Sequence, residues 1–114
     1  MNGQPILQVI FFHNLSGHEP VREWLKAMDK EDRTAIGEDI KLVQFRWPLV
    51  RKLEADLWEV RSHLSDGRIA RVFFTVHRTE MVLLHGFIKK SQKTPGDEMA
   101  LAQGRKNLWW QGVT

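Results

Sequence analysis

The sequence predicts a single α+β domain over residues 1–114: an N-terminal strand, a helix hairpin, a three-stranded antiparallel meander, and a C-terminal helix packed with one sheet. Three observations carry this. A short apolar run, Ile6 to Phe12, precedes a stretch in which apolar residues recur with the helical period. Alternating runs then flank two turn signals, Ser65-Asp66-Gly67 and Arg78-Thr79-Glu80. Finally, Thr94-Pro95-Gly96-Asp97 combines N-cap, N1 and N3 preferences ahead of the last segment.

Taken in order, Ile6-Leu7-Gln8-Val9-Ile10-Phe11-Phe12 is rich in β-branched and aromatic residues and reads as a buried strand. Ser16 and Glu19 have capping-box spacing, and Pro20 suits a first helical turn. Val21, Trp24, Leu25 and Met28 form the stripe of a first helix. Asp29 with Asp32 signals a second start, and Ile36, Ile40, Val43 and Trp47 keep the period until Pro48 stops it. After a polar connection, Asp56 to Leu64 alternates, with Leu57, Glu59, Arg61 and His63 opposite Trp58 and Val60. Ile69 to His77 places Val72, Phe74 and Val76 on one side and Arg71, Phe73 and Thr75 on the other. Met81 to Ile88 is apolar enough for a central strand, and the last helix runs towards Trp109 and Trp110.

Bulk composition narrows the function. At 114 residues folding buries roughly two-thirds of the unfolded chain's surface, so one core stands without staples. There are no cysteines, which excludes disulfides, thiolate metal sites and a cysteine nucleophile. No apolar run is long enough to span a membrane and the N-terminus lacks a secretory pattern, so the expected location is cytoplasmic, with no membrane partner. The net charge of +3 is unevenly distributed. Arg61, Arg68, Arg71, Arg78, Lys89, Lys90 and Lys93 are opposed only by Asp66 and Glu80, while the rest of the chain is slightly acidic. Such a cluster is either a solvated basic face or a surface for a polyanion.

Alternation places Arg61 and Arg71 on one sheet face if their strands pair through Ser65-Asp66-Gly67. Two guanidinium groups there need an acidic partner or an anionic ligand, and Arg71 has Glu59 or Glu80 as a packing alternative.

Leu57-Trp58-Glu59-Val60-Arg61, Arg71-Val72-Phe73-Phe74 and the run Leu83 to Pro95, above all Gly86-Phe87-Ile88-Lys89-Lys90 followed by Lys93-Thr94-Pro95, resemble the phage-derived HigB-like branch of the RelE/ParE toxin superfamily. The resemblance runs in order from about Val9 to Arg105. It implies a RelE-like fold and the toxin of a type II toxin–antitoxin pair that cleaves messenger RNA in the ribosomal A site. It also implies a helix-turn-helix antitoxin (HigA-like), contact with DNA only through that antitoxin, and neither metal nor organic cofactor.

Metal-free RNA cleavage needs a base for the ribose 2′-OH, cationic stabilisation of the phosphorane charge, and an acid for the departing oxygen. Arg61 and Arg71 suit the middle task. Lys89, Lys90 and Lys93 would depress one another's pKa, fitting one of them for proton transfer. Glu59 is a rival base, and Lys93 has the plainer alternative of preceding the Thr94 cap. His63, Arg68, Arg78 and Phe73 are the candidates for RNA contact. Superfamily relatives use a tyrosine or histidine near the last helix, but this chain has no tyrosine. His85, within an apolar strand, reads as a satisfied core imidazole, and no histidine pair has helical metal-site spacing. A gyrase inhibitor of the ParE type and a non-cleaving RNA binder are the alternatives on the same scaffold.

Overall fold

The computed structural model describes residues 3–89 and 96–112. The chain forms β1 (Gln8–Phe11), α1 (Pro20–Ala27), α2 (Lys30–Arg46), β2 (Arg51–Glu54), β3 (Leu57–His63), β4 (Ile69–His77), β5 (Glu80–Lys89) and α3 (Gly96–Gly112). The five strands make one sheet in the order β1-β5-β4-β3-β2. The mixed α+β class agrees with the sequence reading, but the strand count does not. Arg51-Lys52-Leu53-Glu54, expected as a polar connection, pairs antiparallel with β3 through Arg51↔Glu59 and Lys52↔Trp58. It is an edge strand, so three charged residues out of four face solvent without penalty.

β5, expected to be central, lies in the interior of the sheet beside the middle strand β4, antiparallel to β4 and parallel to β1 through Val9↔Met81 and Phe11↔Leu83. The β3–β4 hairpin closes on Asp66 and Gly67, with φ of 60° and 72° respectively. The β4–β5 reversal uses Arg78 at φ 58°. Both sharp turns therefore lie where the sequence signals put them.

The two faces of the sheet carry separate apolar groups. On one, Val60, Val72, Phe74, Met81 and Leu83 are buried with Val21, Ile36, Ile40 and Val43 of the helix hairpin. Gly86 belongs to this packing: a Cβ there would lie 2.4 Å from the Trp24 ring, so only glycine admits the indole. On the other face, Leu57, Phe73, Val82, Leu84 and Phe87 are buried with Phe12 and Ala102, the last from α3. Helices thus cover both sides.

Local capping differs from the sequence reading. Ser16 Oγ donates to Asn14 Oδ1 at 2.8 Å within a turn, so it does not cap α1. Glu19 occupies the N-cap position, its N–H donating to Glu23 Oε2 at 3.2 Å, and Pro20 opens the helix as expected. α2 ends at Arg46, just short of Pro48. The expected Thr94-Pro95 cap lies outside the described residues.

Candidate functional site: a buried carboxylate shared by arginines

Strand register builds the site. Arg51, Glu59, Phe73 and His85 align across β2, β3, β4 and β5. The next row is Arg61, Arg71 and Phe87, and the one after is His63, Ile69 and Lys89. Cross-strand partners present side chains to the same face, so three rows converge on the α3 side of the sheet.

Glu59 is at the centre. Its side chain is wholly buried, and it accepts a hydrogen bond from Arg71 Nε at 3.0 Å and a second, very short one from Arg71 Nη2. Arg61 Nε lies 3.7 Å from Glu59 Oε1, and Arg51 Nε lies 3.9 Å from Oε2. Arg71 is buried too, its guanidinium carbon 5.2 Å from the Phe73 ring centroid and 5.9 Å from that of Phe87. Bidentate pairing and two aromatic faces fix this guanidinium. Arg61 and Arg51 stay partly open to solvent, at 34% and 61% side-chain exposure.

Lys89 is the remaining cation of the group and is buried. Its amine is held below the ordinary lysine pKa, first by burial, then by the Arg71 and Arg61 charges, against which Glu59 pulls the other way. Among the described residues, one carboxylate stands among four cations, a surplus of positive charge that an approaching oxyanion would offset.

The structure therefore brings together Arg61, Arg71 and Lys89, with His63 at the rim of the same face. It also adds Arg51, which the sequence reading overlooked because its strand was not recognised; cross-strand register with Glu59 is the only signal that marks it. Lys90 and Lys93 lie outside the described residues. Three further candidates are not available for RNA contact at this site as the sequence suggests. Phe73 is fully buried beneath α3 and edge-on to Phe87 at 5.3 Å, so its ring has no face for a nucleobase. Arg68 is committed to α2: Nη1 donates to Asp32 Oδ2 at 2.9 Å and Nη2 to Oδ1 at 3.1 Å. That pairing raises its pKa further and makes it a tie between the β3–β4 hairpin and the second helix. Arg78 is exposed in the β4–β5 turn, at the far end of β4 from Arg71. The two are seven positions apart in sequence, about 23 Å of extended chain.

Glu59 as a general base is also set aside, because its carboxylate is enclosed and doubly hydrogen-bonded by Arg71. His85 is a satisfied histidine, its Nε2 2.8 Å from Glu98 Oε1 and its ring stacked on Phe87. That contact and the hydrogen bond from Arg105 Nη1 to the Leu84 carbonyl, 2.8 Å, fasten α3 to β5 beside the cationic group.

A family model for the phage-derived Gp49-like proteins matches residues 23–107. The chain belongs to that family. The Gp49-like family is part of the RelE/ParE-like toxin clan, and membership suggests a toxin paired with an antitoxin. The match begins within α1, spans α2, all strands of the meander and most of α3, and so includes every member of the Glu59 group. No curated protein matches the chain. No helix among the described residues is long and apolar enough to cross a membrane.

Proposed function

We propose that this Gp49-like chain is the toxin of a type II toxin–antitoxin pair and acts as a metal-independent, ribosome-dependent endoribonuclease, cleaving messenger RNA in the A site in the manner of HigB and RelE. The observation that carries the reading is the Glu59 carboxylate shared by Arg51, Arg61 and Arg71 with Lys89 beside it.

The roles follow from exposure and charge. Arg61, partly exposed, binds the scissile phosphate and stabilises the charge that grows as the ribose 2′-oxygen attacks phosphorus. Lys89, with its lowered pKa, takes the 2′-OH proton or supplies one to the leaving 5′-oxygen. Arg71 and Glu59 are positioning residues: their buried pair sets the orientation of Arg61 and the electrostatics around Lys89. Arg51 extends the cationic surface along the RNA backbone. Transfer to the ribose oxygen leaves a 2′,3′-cyclic phosphate and a 5′-hydroxyl, so the atoms balance without a cofactor. A helix-turn-helix antitoxin neutralises the toxin and carries the contact with DNA.

The test is cleavage of a ribosome-bound message in a purified translation system. Wild-type protein should cut in the A site, while Arg61→Ala and Lys89→Gln should cut at least about a hundredfold more slowly, as general acid–base and charge-stabilising groups typically contribute. Both variants should retain wild-type circular dichroism. Uncut messenger RNA with wild-type protein, or full activity in both variants, would overturn the assignment.

A further inference from the structure

Beside the cationic group, the sheet edge opens. β2 begins at Arg51, opposite Glu59, so among the described residues Val60 to His63 of β3 have no strand on that side. A cleft of about 300 Å³ occupies the gap between this edge and α2. Leu42, Val43, Leu49 and Val50 give it an apolar lining, and Arg46, Arg51 and Arg61 contribute cationic walls. Asp39 contributes the wall's one acid besides the enclosed Glu59, and it makes no ion pair with another described residue. Leu42 and Leu49 are 49% and 80% exposed, more than helix-hairpin packing requires of an apolar side chain.

We infer that this cleft seats one guanine base of single-stranded RNA, the base of a nucleotide next to the phosphate held by Arg61. The size limits the occupant: ligand sites run from roughly 300 to 1,000 Å³, so the cleft admits one base and not several. An apolar lining with guanidinium walls suits a flat, aromatic, electron-rich ring, because arginine planes stack on bases and aliphatic side chains bury their faces. The carboxylate chooses among the bases. The Asp39 carboxylate offers two acceptor oxygens. Guanine alone offers two adjacent donors, N1–H and N2–H, to match it; uracil, cytosine and adenine each bring one. Arg61 belongs to both the cleft and the Glu59 group, which places the bound base within one nucleotide of the reacting phosphate. The inference rests on the RNA-binding part of the proposed function and adds a sequence preference to it.

Fluorescence anisotropy with four labelled 2′-O-methyl trinucleotides, differing only in the central base, tests it, since the blocked 2′-oxygen prevents cutting. Wild-type protein should bind the guanine form about tenfold more tightly than the others, the range of a charged hydrogen bond. Asp39→Asn should shrink that preference below about threefold by weakening the guanine form. Leu42→Ala, at an exposed helix position that tolerates alanine, should weaken all four by about threefold or more. A guanine preference untouched by Asp39→Asn, or equal binding of all four bases by wild type, would overturn the guanine site. That result together with cleavage on ribosomes would leave the nuclease reading intact. Guanine-selective binding without cleavage would do the reverse, and no binding at all would overturn both.

Discussion

Substituting Glu59 by glutamine keeps the shape of the side chain and removes its charge. In the folded protein that charge faces Arg71 through two hydrogen bonds, with Arg61 at 3.7 Å and Arg51 at 3.9 Å. Neither partner of the central pair can be rehydrated in place, since Glu59 has no exposed side-chain surface and Arg71 only 2%. Breaking a buried pair by removing one partner costs about 3–5 kcal/mol. Glu59→Gln should fall at the upper end, because the cations it leaves behind repel one another. Arg71→Ala should fall at the lower end, because Arg61 and Arg51 remain to offset the carboxylate. Urea unfolding followed by tryptophan fluorescence measures both. Against a total stability of about 5–15 kcal/mol, the difference is well within reach. Sulfate in the buffer should restore stability to Glu59→Gln more than to wild type, since the oxyanion supplies the missing negative charge. A Glu59→Gln loss below about 1 kcal/mol, or a greater loss in Arg71→Ala, would refute the view of Glu59 as the centre of this group.

Three other outcomes follow from the same contacts. Arg68→Ala should lower the melting temperature by releasing the hairpin from Asp32, yet leave RNA cleavage at the wild-type rate; a parallel loss of cleavage would return Arg68 to the site. Gly86→Ala should cost about 1–3 kcal/mol through overpacking against Trp24, read by urea unfolding. Lys89 releases its proton at a lower pH in the folded protein than in the unfolded chain. Stability should therefore rise as pH climbs towards the ordinary lysine value of 10.5, and Lys89→Gln should lose that part of the slope.

Much of this arrangement was legible in the sequence because it depends on local signals. Alternation along β3 and β4 assigned Val60, Val72 and Phe74 to the helix-hairpin face and Glu59, Arg61 and Arg71 to the other, where they are found. Gly67 marked the hairpin that pairs Arg61 with Arg71. What sequence could not show is what covers a face. α3 closes over part of the charged side through Ala102 and Met99, burying Phe73, and nothing in the period of β4 distinguishes a ring under a helix from one in solvent. β2 was hidden for a related reason: an edge strand needs no apolar alternation, so Arg51 looked like loop. The competition for Arg71 between Glu59 and an anionic ligand was visible, but the outcome depends on distances. In the fold it is the Glu59 partner, and Arg61 is the more open of the two arginines.

The central claim is that Arg61 and Lys89 cut RNA on the ribosome. Sequencing RNA 5′ ends from cells after brief induction, wild type beside Arg61→Ala, tests it most directly. Wild type should leave codon-phased 5′-hydroxyl ends within translated messages, and Arg61→Ala should leave none. Intact messages in arrested wild-type cells, with broken DNA in their place, would contradict the claim and assign the toxin to gyrase.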